Sequence, residues 1–186
     1  MKLYIFNKND KTYVSIYFKI FFAILLILFI SIYFDFHIVF ISIILILYFV
    51  FYIILNFFRT EHINGNLEGL LELKMDSINI KEKTFPLEKI DKIEILNTDI
   101  EGDFQTYKIS FEPNFSNGTD NYIKLFLNSG ENITFLFQQT KNEKINYNRK
   151  ELINYYRKGK ISWLALLDIL EITDYNKIQN FKKSLK

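Results

Sequence analysis

The 186-residue chain has no cysteine and only two histidines. The first absence removes disulfides, thiolate nucleophiles and zinc ribbons together, and it suits a module facing a reducing compartment. His37 and His62 lack a neighbouring nucleophile or a partner at ligand spacing, so neither is expected to bind metal or do catalysis. Glycine is scarce as well, and no glycine-rich phosphate loop follows a strand-like run: Gly65 and Gly69 flank strand-like residues instead. Carboxylates are plentiful but scattered, with no pair set apart for acid and base roles. The expectation is a protein that is not an enzyme and needs no cofactor.

Excess charge of one sign is also missing. From Arg59 to Lys186 there are 19 Lys and Arg and 19 Asp and Glu, so the formal charge of +2 arises wholly before that point. A neutral soluble part lacks the electrostatic footprint of a duplex-binding protein, and no duplex nucleic acid is expected as partner. The richness in Phe, Tyr, Ile, Lys and Asn follows AT-rich coding composition, so aromatic residues are not read as base-stacking platforms.

What the chain does have is one very long apolar run. Residues 12–58 are almost wholly apolar, whereas the rest is amphiphilic, a division expected of a membrane segment joined to one modest domain. A helix rises about 1.5 Å per residue and a bilayer core is roughly 30 Å thick, so about 20 residues cross once. Val14–Phe58 is more than twice that. Two helices, about 14–34 and 37–57, match the thickness, and the polar break Asp35-Phe36-His37 falls where a turn is needed. Asp35 and His37 are therefore read as a membrane turn at the far interface, and Lys19 as a side chain reaching outward from near the start of its span. The first apolar stretch is too long for a cleaved signal peptide, lacks a small-x-small cleavage pattern and is followed at once by a second span.

Lys2, Lys8 and Lys11 precede the first span and Arg59 follows the second, while the turn has neither Lys nor Arg. The positive-inside tendency then predicts a multi-pass protein of the cytoplasmic membrane with both termini cytoplasmic. The organisation expected is a cytoplasmic tail (1–12), a transmembrane hairpin (13–58), an antiparallel β-rich module (59–147) and C-terminal helices (148–186). The fold class is an α+β membrane protein.

Past Phe58 the pattern becomes strand-like. Leu67, Gly69, Leu71, Leu73 and Met75 share one face, with Glu68, Glu72, Lys74 and Asp76 on the other. Asp76-Ser77 turns into Ile78-Asn79-Ile80, and Pro86 introduces a strand over residues 90–97. Tyr107, Ile109 and Phe111 align one face of 105–112, "EPNFSNGTDN" reads as an exposed loop, and residues 122–127 and 133–137 flank a hairpin turn, Asn128-Ser129-Gly130-Glu131. Five to seven antiparallel strands result. Helical spacing then returns: Asn148 is a cap, Gly159 a stop, Ser162 caps a second helix and Thr173 or Asp174 a third. Trp163 is placed in the core, or at the interface if its helix lies on the bilayer. The acceptor-like triplets at Asn114, Asn117 and Asn132 are read as accidental in a cytoplasmic module.

The stretch GLLELKMDSINIKEKTFPLEKIDKIEI, Gly69 to Ile95, resembles the opening of bacterial pleckstrin-homology-like (PH-like) domains, in which two preceding spans are common. The resemblance implies a bent antiparallel sheet or barrel closed at one end by a C-terminal helix, here Arg149 to Lys158. Headgroup-binding members of the wider fold place several Lys and Arg around the first hairpin. Lys74, Lys81 and Lys83 occupy that region here, yet no Arg does, and Asp76 and Glu82 dilute their field. Together with Arg149, Lys150, Arg157 and Lys158 on the helix, these lysines are the candidate contacts for an anionic ligand or lipid.

The function expected is a non-enzymatic, membrane-anchored module whose partners are the bilayer and a protein, peptide or small ligand, with homo-oligomerisation left open. A second expectation, from architecture alone, is a membrane-disrupting antiphage effector gated by a cyclic oligonucleotide through a β-barrel sensor.

Overall fold

The structure, a computed structural model, describes residues 2–9, 16–33, 38–105 and 113–185. The expected turn residues Asp35 and His37 and nearly all of the strand expected over 105–112 lie outside that set. The described chain divides into two compact units. One comprises Met1–Lys8, Gly65–Asp103 and Asn117–Lys186, and the other Asn9–Asn64 and Phe104–Ser116.

The sheet unit begins with a strand that the sequence reading assigned to a tail. Lys2–Lys8 forms β1, with Leu3 and Ile5 buried and Lys2 and Tyr4 exposed. Two helices follow in the other unit, α1 (Ile16–Tyr33) and α2 (Ile38–Phe57), and the sheet resumes with β2 (Gly65–Leu73), β3 (Ser77–Ile80), β4 (Lys83–Pro86) and β5 (Ile90–Leu96). After an excursion through the second unit, β6 (Asn121–Leu127) and β7 (Asn132–Phe137) complete seven antiparallel strands in the order β4-β3-β2-β1-β7-β6-β5. The supposed tail is thus the central strand. It pairs with β2 from Lys2↔Glu72 to Lys8↔Gly65, and with β7 at Ile5↔Phe137 and Phe6↔Leu136. No local signal marks it, because neither neighbour is joined to it by a short turn.

The alternation along β2 holds only past its middle. Leu71 and Leu73 are buried, but between Phe6↔Leu67 and Tyr4↔Leu70 the register shifts by a bulge at Gly69, whose φ is +77°. A Cβ there would sit 2.6 Å from Lys81 Cγ, so both conformation and space require glycine. Met75 falls in the β2–β3 turn and is exposed. Pro86 closes β4 instead of opening β5. At φ −62° it leads into a 3-10 turn, Leu87–Lys89, consistent with its fixed backbone angle and missing N–H.

Three helices end the chain: α3 (Arg149–Arg157), α4 (Trp163–Ile169) and α5 (Tyr175–Ser184). Ser162 Oγ accepts from Ala165 N at 3.2 Å and Asp174 Oδ1 from Lys177 N at 2.9 Å, both as expected of N-caps. Asn148 occupies the cap position of α3 without capping by its side chain, which donates instead to Ile145 O. Gly159, at φ +71°, ends α3 as its expected stop. Leu152 and Tyr155 of α3, Leu166 and Ile169 of α4 and Phe181 of α5 join the strand residues Leu3, Ile5, Leu71, Ile78, Ile93, Ile123 and Leu125 in one core. The chain between α3 and α4 also covers the β5 edge, where Ile93 N donates to Lys160 O at 2.8 Å.

The segment read as an exposed loop is partly interior. Ser116, Asn117 and Thr119 are buried, and Asn121, the last residue of the segment, is the centre of a knot of polar side chains. Asn121 Nδ2 donates to Asp99 O and to Gly118 O, both at 2.8 Å, and Asn121 Oδ1 accepts from Asp99 N at 2.9 Å. Gln139 Nε2 donates to Asn97 O, Gln139 Oε1 accepts from Ile145 N, and Asn97 Nδ2 donates to Ile169 O. Turn-type composition suggested solvent. Here the same amides satisfy the buried backbone of three crossing segments, which burial demands.

Candidate functional site

Two surfaces merit consideration, one in each unit. In the helical unit, α1 and α2 carry Ile, Leu, Phe and Val on every side, and both are long and apolar enough to cross a membrane. Only 6% of the apolar window of α1 and 11% of that of α2 is buried, which separates them from core helices of a water-soluble domain. Lys19, near the start of α1, is exposed, while two hydroxyls are bonded within the unit. Ser31 Oγ donates to Ile27 O at 2.8 Å, and Tyr48 Oη donates across to Tyr17 O at 2.6 Å. Tyr52 stacks on Tyr48 with ring centroids 6.3 Å apart, and the Arg59 guanidinium lies 4.5 Å over the Tyr17 ring. The end of α2 therefore lies beside the start of α1, and the helices run in opposite directions.

In the sheet unit the seven basic residues do not form one patch. The β2–β3 turn docks on the C-terminal half of α3: Asn154 Nδ2 donates to Met75 O, Tyr155 Oη to Lys74 O at 2.7 Å and to Ser77 O at 3.1 Å, and Lys158 Nζ pairs with Asp76 at 2.7 Å. The Lys74 ammonium itself lies 3.6 Å from Glu72. Lys81 and Lys83 lie at the other end of β3, where Lys81, at φ 56°, donates to Asn7 Oδ1 at 3.1 Å. The trio proposed around the first hairpin is split by the length of β3.

Two arginines bind the helical layer together. Arg149 lies 4.7 Å over the Phe181 ring, and Arg157 Nη2 donates to Leu185 O at 3.5 Å. Trp163 is half-buried between Tyr156 and Phe181, with centroids 5.6 and 5.7 Å away. It belongs to the packing of α3, α4 and α5. Tyr156, Trp163, Lys182 and Leu185 line an open cleft of about 320 Å³ there. Residues 148–186 hold nine Lys and Arg against four Asp and Glu, so the neutrality of the soluble part conceals a basic helical layer beside an acidic sheet region.

Burial pushes the Tyr155 phenol well above its ordinary titration range; the bond to Lys74 O opposes this, while Glu151 and Asp76 add to it. Its hydroxyl is a structural donor. His62 is exposed, and among the described residues no group of three or more His, Asp or Glu could hold a metal ion. Asn117, one of the acceptor-like asparagines, is buried with Oδ1 accepting from the Thr119 hydroxyl at 2.7 Å, whereas Asn132 opens β7 at the surface.

Comparison with protein-family models, with curated proteins and with solved structures finds no match. The fold itself defines the class: an α+β protein with two candidate membrane helices near its N-terminus, an open seven-stranded antiparallel sheet and C-terminal helices.

Proposed function

We propose that this chain is a membrane-anchored binding module without catalytic activity. Helices α1 and α2 form a transmembrane hairpin, and the sheet unit is a PH-like module at the cytoplasmic face that takes an acidic ligand or partner on its helical layer. The observation that carries the anchoring is the pairing of β1 with β2 on either side of the helices. Two strands of one ladder occupy one side of a membrane, so the chain between them crosses an even number of times, which suits a hairpin of two matched spans. The strand order and the burial of Leu152 and Tyr155 against the sheet support the PH-like reading, in which a C-terminal helix closes a bent sheet. The excess of nine basic over four acidic residues in 148–186 supports an acidic ligand.

The test uses the full chain in nanodiscs of neutral lipid. Trp163, the only tryptophan and a lining residue of the cleft, serves as an internal reporter during titration with inositol phosphates, cyclic dinucleotides and an acidic peptide. Saturable change with one ligand class, weakened by raised salt and by K150Q/K158Q/K182Q, is the expected result. Equal response in that triple variant overturns the helical layer as the site. Dye leakage from liposomes on ligand addition identifies the gated effector instead.

A further inference from the structure

We propose that the β5–β6 excursion makes a third membrane contact, in which Phe104 and Phe115 join Phe57 and Phe58 as an aromatic anchor at headgroup level. The inference rests on reading α1 and α2 as spans.

The excursion leaves the sheet unit after Asp103 and returns at Asn117. Its described residues are fastened by backbone bonds to the last turn of α2 and to the residues just past it. Asn114 N donates to Asn56 O at 3.0 Å, Phe115 N to Arg59 O at 3.1 Å, and Glu61 N to Phe115 O at 2.8 Å. The carbonyls at a helix C-terminus have no partner within the helix, and at the edge of hydrocarbon water meets that need poorly. The excursion supplies donors at that level.

It brings rings as well as donors. Phe104 lies 5.2 Å from Phe57 and 5.6 Å from Phe115, and Phe57 lies 6.5 Å from Phe58. Three of these rings are exposed, Phe57 by 51%, Phe58 by 77% and Phe104 by 42%, and Phe115 is half-buried against Phe104. Its height follows from length, since α2 covers 20 residues and thus about 30 Å, so its last residue reaches the hydrocarbon boundary. Arg59 folded over Tyr17 at the same end gives a cation backed by an aromatic face, an arrangement suited to the interface. The apolar cluster is continuous with the lipid-facing surface of α2, and this continuity selects the bilayer as its occupant.

The chain has no cysteine, so single cysteines introduced by F104C and, separately, F115C carry one nitroxide each in the full protein reconstituted in liposomes. Leu26, within α1, and Tyr147, in the sheet unit, give reference positions through L26C and Y147C. Accessibility to oxygen relative to a water-soluble nickel chelate is expected to be severalfold higher at 104 and 115 than at 147, and below that at 26. If 26 reads as deep hydrocarbon while 104 and 115 match 147, the anchor is overturned and the spans stand. A water-like reading at 26 overturns the spans and the anchor together. Shielding at 104 from both reagents, relieved by diluting the protein in lipid, assigns the patch to a second copy and likewise overturns the proposal.

Discussion

Lys8 faces Gly65 across the β1–β2 ladder, although residues 9–64, including both apolar helices, lie between them in the chain. The helical pair is therefore an insertion between two strands at the centre of the sheet, and does not simply precede the module.

A consequence for topology can be read by labelling. Single cysteines from K2C and S129C, both at exposed positions of the sheet unit, are expected to resist a membrane-impermeant maleimide on intact cells and to react after permeabilisation. Y33C, at the exposed end of α1, is expected to react on intact cells. Reaction of all three under the same condition contradicts two crossings.

The first residues should matter to stability as core residues do. Ile5 is 1% exposed and lies between two neighbouring strands, so Ile5→Ala is expected to cost about 2–5 kcal/mol. Substitution of the exposed Lys2 by Ala should stay within about 0.5 kcal/mol. Denaturant unfolding in detergent, followed by Trp163 emission, distinguishes the two.

Gly118 and Gly130 both have positive φ, at +73° and +87°, but only one is enclosed. A Cβ on Gly118 would stand 2.2 Å from Gln139 O and 2.7 Å from Glu101 N, whereas one on Gly130 meets nothing within 4 Å. Gly130→Ala should cost about 1–2 kcal/mol, the strain of the left-handed region alone. Gly118→Ala should cost roughly 3 kcal/mol or more, because the polar knot must also open. Thermal unfolding of the two variants side by side checks the order.

Tyr155 links stability to alkaline pH. Its folded pKa is raised above the unfolded value of about 10, so the native state keeps a proton that the unfolded chain releases. Stability from this group is complete below about pH 10 and falls as pH rises beyond it, by at most about 1.4 kcal/mol per pH unit. Tyr155→Phe should cost about 1–2 kcal/mol at neutral pH, since Lys74 O and Ser77 O lose their donor, and should flatten the alkaline decline. Unfolding midpoints between pH 8 and pH 11 for both proteins measure the two effects.

Elements with a strong local pattern were legible in the sequence. The apolar lengths of α1 and α2, the β6–β7 turn and the caps Ser162 and Asp174 depend on neighbours a few residues away, and they lie where composition placed them. What escaped was set by distant partners. β1 is joined to its partners β2 and β7 by no short turn and borrows its strand character from them, and the knot around Asn121 looks like turn residues until the segments crossing it are known. The basic residues fared in between. Arg149, Lys150 and Arg157 share α3 and Lys158 caps its C-terminus, but Lys81 and Lys83 are held away from Lys74 by β3.

The insertion also sets an order of events during synthesis. The ribosome delivers β1 before the helices, the helices before β2, and β7 only after most of the sheet has been made. A membrane hairpin would be threaded into lipid while β1 still waits at the surface for both neighbours. The finished sheet then closes over strand β1, and a hairpin threaded in that order would lie in lipid before the module beside it could exist.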